Sequence, residues 1–406
     1  MRFTSKVLES AALLTKGLPY QMRSTDAAVG KWLLVCAGGV VGMVHVGGLT
    51  RLTQSGLSMT TWSPLGSLPP ISASEWELEF ERYRQFPEWQ QRQSMTMRDF
   101  QYIYYWEWGH RMLGRSLGLV FMAPWLYFSV RGRIPKGYQS RMVALASMGG
   151  TQGLVGWWMV KSGLGDDRRG DAKEIRVRPI RLGAHLSMAV ATYGALLWTG
   201  WDVLSLPYQS TLKNQVSKMS SDAFRVARRL RPVSILLTAS TAATIVSGAL
   251  VAGNDAGRAF NTWPKMDDDW IPEELYELEP FSRNLTEHTA TVQFHHRMLA
   301  SCTAATAIAL SAWGLLRAAL VTPQVRNGLI AVGVAATGQF TLGIATLVHY
   351  VPLGLAAAHQ VGSLVVFTSS LYLAHALRYA RPALRSVTMS AAAAPRAIKS
   401  ASPKIT

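Results

Sequence analysis

His110-Arg-Met-Leu-Gly114 returns later in the chain as His296-Arg-Met-Leu-Ala300, and the reading of this pair decides the fold. Further matches keep the same order. Gln152-Gly-Leu-Val-Gly156 has a counterpart in Gln339-Phe-Thr-Leu-Gly343, and His185 answers His359. Gly48 is followed fourteen residues later by Trp62 and then Ser63-Pro64; Gly248 is followed fifteen later by Trp263-Pro264. Matches that recur in order mark a duplicated structural unit.

Around these motifs lie apolar runs at approximately 31–50, 102–129, 142–160, 180–201, 232–252, 291–316, 327–349 and 353–377. Each is close to the roughly 20 residues that a helix needs to cross a hydrocarbon core. A buried soluble core could explain one run but not eight. The 406 residues are 49% hydrophobic and only 16% charged, where soluble domains carry about 25% charge. The predicted fold is an all-α polytopic membrane protein whose eight transmembrane helices form two pseudo-symmetric four-helix bundles. Its segments are a basic N-terminal tail or presequence (1–30), an N-terminal half (31–201), a basic inner linker (202–231), a C-terminal half (232–377) and a basic C-terminal tail (378–406). Four crossings restore the starting orientation, so the two copies should run parallel about an axis along the membrane normal.

Charge sets the orientation. The net charge of +17 could suggest nucleic acid. The basic residues, however, fall in the tails and in alternate loops, at Arg131, Arg133, Lys136 and Arg141 and again from Lys213 to Arg231. That is the positive-inside pattern, and it places both termini inside. The long intervening loops 51–101 and 253–290 are richer in acids, with Glu75, Glu77, Glu79 and Glu81 in one and Asp267 to Asp269 in the other. Trp, Pro and Gly in those loops suggest folded outer caps. Loop 161–179 mixes both signs. Cys36 and Cys302 both lie in apolar runs and read as small buried hydrophobes. Arg2, Lys6, Lys16 and Arg23 resemble a short mitochondrial presequence, though Glu9 and Asp26 suit a plain basic tail equally.

Spans two, four, six and eight should all enter from the outside, and each carries one histidine about five to eight residues past its outer boundary: His110, His185, His296 and His359. At about 1.5 Å rise per residue, the four lie within one or two turns of a common depth. A single histidine in a membrane helix is more often a packing residue than a ligand. Two imidazoles facing each other from two helices of one bundle match the axial ligation of a haem iron. Gly114 and Gly362 would permit a flat ring to approach the backbone, although helix packing also favours small residues. Arg111 and Arg297 follow two of the histidines and could pair with haem propionates or snorkel to the interface. His45, His288, His295 and His375 have no matching depth or repeat partner and read as packing or surface residues.

The halves differ at one position. Glu107 precedes His110 by three residues and shares its helix face; the equivalent residue before His296 is Gln293, which cannot exchange a proton near neutral pH. A reactive first half and a supporting second half follow, unless Glu107 only orients a neighbouring imidazole. Two other classes stay open on the residues alone: a di-haem b-type cytochrome limited to electron transfer, and a transporter whose histidines bind an ion.

Gly47-Gly-Leu-Thr-Arg-Leu-Thr-Gln-Ser-Gly-Leu-Ser58, Glu107-Trp-Gly-His-Arg-Met-Leu-Gly-Arg115 and the contexts of His185, His296 and His359 resemble the haem A synthase family in its mitochondrial and α-proteobacterial form. The likeness covers about 31 to 380, including the Trp-rich loop with Trp76, Tyr83 and Pro87. It implies an eight-helix oxidoreductase that converts the C8 methyl of haem O to a formyl group, giving haem A for cytochrome c oxidase. It implies a haem b cofactor held by His296 and His359 with Arg297. Haem O would be received at His110 and His185 with Arg111, and Glu107 would be the functional carboxylate. Membrane lipid, a ferredoxin-type electron donor, haem O synthase and oxidase assembly factors are the implied partners. A homo-oligomer is compatible with the resemblance, and nucleic acid is not expected. The implied location is the mitochondrial inner membrane with both termini on the matrix side, or the plasma membrane of a bacterium. Some bacterial relatives carry cysteine pairs in outer loops, and this chain has none there. Gln54 and Trp108 stand where Glu and Tyr are common in the family.

Overall fold

A computed structural model describes residues 24–63, 65–168 and 175–381. The presequence reading of the first residues, Pro64, part of the mixed-charge loop (169–174) and the C-terminal tail from 382 lie outside the described residues. Apart from one isolated bridge between Met266 and Asp269, the regular elements among the described residues are all helical. They are α1 (Ser24–Leu52), α2 (Ala73–Arg84), α3 (Met97–Val130), α4 (Gln139–Lys161), α5 (Pro179–Ser205), α6 (Gln209–Ser217), α7 (Ser221–Gly253), α8 (Asn284–Glu287), α9 (Thr289–Leu315), α10 (Pro323–Val348) and α11 (Leu353–Ala376), with short 3₁₀ turns between.

Seven helical segments are long and apolar enough to cross a membrane, those of α1, α3, α5 with α6, α7, α9, α10 and α11. The remaining expected run forms α4, a helix of 23 residues about 35 Å long. Its Gly149, Gly150, Gly153 and Gly156, with Ser, Thr, Gln and two Trp, dilute its hydropathy below that of the others. Three helix starts shift from expectation, the largest at α7, which begins at Ser221 inside the predicted 202–231 linker that also holds α6. Helix α1 begins at Ser24, inside what reads as the tail, and α3 begins at Met97, where Thr96 and Asp99 form a reciprocal capping box.

Helix α1 packs on α3 and α5, and α4 packs on α5; α7 packs on α9 and α11, and α10 packs on both of those. Across these groups α5 meets α7 and α1 meets α11. Lipid tails are as apolar as Leu, so such helices associate through close packing and hydrogen bonds rather than water exclusion. The α1–α5 crossing shows the steric side. A Cβ built on Gly30 would stand 3.3 Å from the Gly200 carbonyl oxygen, and one on Gly200 would stand 3.3 Å from that of Gly30. The polar side lies between α1 or α5 and α11: Tyr193 Oη meets Thr368 Oγ1 at 2.7 Å, and Gln360 Nε2 donates to Val44 O at 2.9 Å. At the basic end Asp202 gathers Arg141 at 2.8 Å, His375 at 3.0 Å and Arg378 at 3.7 Å, joining α4, α5 and the end of α11. His375 is thus a buried tie between helices.

The loop between α1 and α3 folds into a cap. Ser72 and Glu75 start α2 with a second capping box. The cap buries Met59, Trp76, Phe80 and Tyr83 against Phe100, Ile103 and Tyr104 of α3. Phe80 is 2% exposed and stacks on Phe100 with centroids 4.8 Å apart. Outside the membrane the hydrophobic effect does act, and removing a buried Phe side chain costs about 3–5 kcal/mol. Phe80→Ala should therefore accelerate limited proteolysis between residues 60 and 96 in detergent-purified protein while helicity by circular dichroism is kept. An unchanged cleavage rate would contradict this account of the cap.

Candidate functional site

His185, His296 and His359 lie six, seven and six residues into α5, α9 and α11, one to two turns from each N-terminus. His110 lies thirteen residues into α3, because that helix extends outward to carry the cap. Each imidazole rests against a glycine on a neighbouring helix. A Cβ at Gly47 would stand 2.8 Å from His110 Cε1, one at Gly156 would stand 2.9 Å from His185 Cε1, one at Gly248 would stand 3.2 Å from His296 Cε1, and one at Gly343 would stand 2.7 Å from His359 Cε1. These glycines are required by the close approach of the rings. His110 lies within electrostatic reach of His185, and His296 within reach of His359.

The contacts also correct the repeat by one residue. Gly47, not Gly48, is the structural counterpart of Gly248. With that change the spacing to Trp62 and to Trp263 becomes fifteen residues in both copies. Gly48 instead accommodates Gln360, whose Oε1 would collide with any Cβ there. Gly114 faces Met43 and Gly362 faces Gln339, so both serve helix packing.

The glutamines of the second repeat motif hold two of the histidines. Gln152 Nε2 donates to His185 O at 3.2 Å and lies 3.2 Å from its Nδ1; Gln339 Nε2 donates to His359 O at 2.8 Å and lies 3.0 Å from its Nδ1. Sequence reasoning aligned these glutamines without giving them a role, although a Gln inside an apolar run is itself a signal. Ser247 Oγ lies 2.7 Å from His296 Nδ1, whereas His110 Nδ1 is buried without a hydrogen-bond partner. Of the other histidines, His295 Nε2 meets Tyr276 Oη at 2.8 Å, His288 caps α9, and His45 Nδ1 is buried without a partner.

Glu107 is 3% exposed. It accepts hydrogen bonds from Ser58 Oγ at 2.8 Å, from the Met59 backbone N–H at 2.8 Å and from Arg111 Nη2 at 2.6 Å. No bond joins it to His110. Arg111 also donates to the carbonyls of Met59 and Thr61 at 2.9 and 2.7 Å. The second copy repeats the plan with other chemistry. Gln293 donates to Ala256 O at 2.6 Å and Ala259 O at 2.5 Å; Arg297 donates to the carbonyls of Phe260, Thr262 and Lys265. In both copies this pair stitches the loop after the preceding span onto the histidine helix. At the equivalent positions a carboxylate receives loop donors and an amide meets loop acceptors. The two arginines are thus engaged with carbonyls here, and Arg297 Nε remains buried without a partner.

Among the described residues no three His, Cys, Asp or Glu side chains converge to hold a metal ion by themselves. Paired imidazoles suit a metal that brings its own equatorial ligands, which is the case for haem. The glycine-backed rings, the unpartnered His110 Nδ1 and the two-by-two arrangement fit such a group.

These features define a multi-helix membrane protein with two glycine-backed imidazole pairs built from an internal repeat. The chain belongs to the COX15-CtaA family of cytochrome oxidase assembly proteins, whose family model matches residues 30–371. It is 43% identical over 385 residues to a protein of Arabidopsis thaliana named heme A synthase COX15, covering 94% of this chain and 80% of that protein. It is 42% identical over 359 residues to the Homo sapiens protein of the same name, covering 88% and 84% respectively. A Rhodospirillum centenum protein named heme A synthase is 40% identical over 373 residues, 91% of this chain and 94% of that protein.

The cap contributes one more buried acid near this site. Glu88 is 5% exposed, accepts a hydrogen bond from Tyr83 Oη at 3.0 Å and pairs with Arg92 at 3.3 Å. Arg92 also donates to Gln54 Oε1 at 2.8 Å, and Trp108 Nε1 donates to Ser67 O at 2.9 Å, so both departures from the family pattern brace the cap. Burial pushes the Glu88 carboxyl up to about 7, against the pull of Arg92 and the Tyr83 hydroxyl. A raised carboxyl means that the folded cap keeps a proton that the unfolded chain releases at lower pH. The resulting stability is full below the ordinary carboxylate range and is lost as pH rises through about 7. Cap protection, read by hydrogen exchange of 73–92, should fall between about pH 5 and pH 8 in the native chain and fall less in Glu88→Gln.

Proposed function

We propose that this chain is an oxidoreductase that converts haem O to haem A by oxidising the C8 methyl to a formyl group. The observation that carries this reading is the duplicated imidazole pair backed by glycines, in a chain whose relatives bear the name heme A synthase. On this reading the chain crosses the membrane eight times, α4 included, as two parallel four-helix bundles with both termini inside. The bundles are residues 31–201 and 232–377, joined by the linker 202–231. The membrane is the mitochondrial inner membrane or its bacterial equivalent.

His296 and His359 would hold a haem b, which supplies a one-electron store and relay when bound. His110 and His185 would receive haem O as substrate. Arg297, with its unpartnered Nε, and Arg111 are the cations nearest to the histidines in sequence that could meet propionates. Glu107 shares the His110 helix face, and we assign it the proton released as the methyl is oxidised by an external oxidant such as dioxygen. Ser58, Met59 and Arg111 fix the position of that carboxylate. A placed carboxylate typically contributes about 10²–10⁴-fold to such a step. Gln293, at the same place in the second copy, cannot take the proton, which suits a half that stores electrons. A ferredoxin-type electron donor, haem O synthase, oxidase assembly factors and a second copy of the chain are the partners consistent with this role.

The test is pigment analysis. Cells or vesicles making the native chain should yield haem O and haem A on extraction. Glu107→Gln should keep bound haem, because an amide can still accept from Ser58 and Met59, yet haem A should drop by at least about 10²-fold. Normal conversion in that variant would reject the proton role, and haem b with no haem A in the native chain would reject the activity.

A further inference from the structure

Ser247 immediately precedes Gly248 on α7, and its hydroxyl oxygen lies 2.7 Å from His296 Nδ1. The same hydroxyl lies 2.8 Å from the Thr244 carbonyl oxygen. A carbonyl only accepts, so the single hydroxyl proton goes to Thr244 and the Ser247 lone pair faces the ring. His296 Nδ1 must then carry a hydrogen and donate it, which leaves Nε2 with a free lone pair.

The other copy of the repeat supplies a built-in control. Gly47 and Gly248 back His110 and His296 in the same way. The residue before Gly47 is Val46, which has no polar atom, and His110 Nδ1 is buried without a partner. A ligating imidazole whose other N–H is accepted by a neighbour is fixed in tautomer and more basic, and losing that acceptor typically costs about 10–100-fold in metal affinity.

We propose that Ser247 is a positioning residue that would make His296 a permanent, strongly donating haem ligand, and that Val46 leaves His110 a weaker ligand for a haem that must enter and leave. The asymmetry thus sorts the two sites by residence time. It rests on the assignment of haem b to the second half and of haem O to the first.

The experiment uses the purified full chain carrying its haem. The readouts are the midpoint potential of the b-type haem and its rate of transfer to excess apomyoglobin, for Ser247→Ala and Ser247→Thr. Loss of the acceptor makes His296 a poorer donor, so the alanine variant should show a raised midpoint and haem affinity weaker by about 10–100-fold. Threonine keeps the hydroxyl and should restore both. Val46→Ser, which leaves the second half untouched, should slow transfer of bound haem O out of the first half.

A Ser247→Ala protein matching the native one in midpoint and transfer rate, with haem b present in both, overturns the Ser247 role alone. Failure of threonine to restore either property overturns it too, and an unchanged haem O transfer rate in Val46→Ser overturns the Val46 half. A native chain that carries no b-type haem overturns the site assignment together with this proposal.

Discussion

The contact between an imidazole ring and the backbone of a neighbouring helix governs how this protein is put together. A histidine carried into a membrane bundle is costly unless polar groups meet it, and it fills space that Leu-lined helices would otherwise close. Glycine on the facing helix answers the second difficulty at all four sites, admitting the ring where any Cβ would collide or crowd it. Gln152, Gln339 and Ser247 answer the first. Glycine and polar partner come from one helix in three cases, Gln152 with Gly156, Gln339 with Gly343, and Ser247 with Gly248. The facing helix therefore forms a socket rather than a flat wall.

Around the sockets the two copies have kept a plan and changed its chemistry. The first position of the motif, Glu107 or Gln293, ties the histidine helix to the loop before it, and the arginine one turn further on does the same. Where the first copy's carboxylate meets N–H and O–H groups of its loop, the second copy's amide meets carbonyls of its own. The left-handed Phe260, at φ 50°, belongs to the stretch that presents those carbonyls. The two copies thus differ in side chain and loop together, which is harder to read from one string of letters than a point difference.

Much of this was legible beforehand. Apolar runs marked the helices. The repeat singled out His110, His185, His296 and His359, which the structure brings together as two pairs within reach. The Gly-Trp match was off by one because adjacent glycines, Gly47 and Gly48, are indistinguishable to pattern reading, and only the ring contact separates them. Gly114 and Gly362 looked suited to a flat ligand for a similar reason, since glycine signals close approach without naming what approaches. Hydropathy placed α4 correctly as a helix, but its weak apolarity reflects a surface given to glutamine and glycine for His185. The roles of Ser247 and Val46 stayed hidden because a hydroxyl in a span usually bonds its own helix, as Thr241 and Thr244 do here.

Gln360 carries a consequence of its own. It sits beside His359 in sequence, yet its side chain crosses to α1, where it occupies the recess at Gly48 and donates to the Val44 carbonyl. Gly48 adjoins the glycine that backs His110. The helix that carries His359 is therefore tied to the stretch of α1 that backs His110. Any shift of α11 along its axis would break the Gln360 bond to the α1 backbone, so this one side chain fixes the register between the two copies.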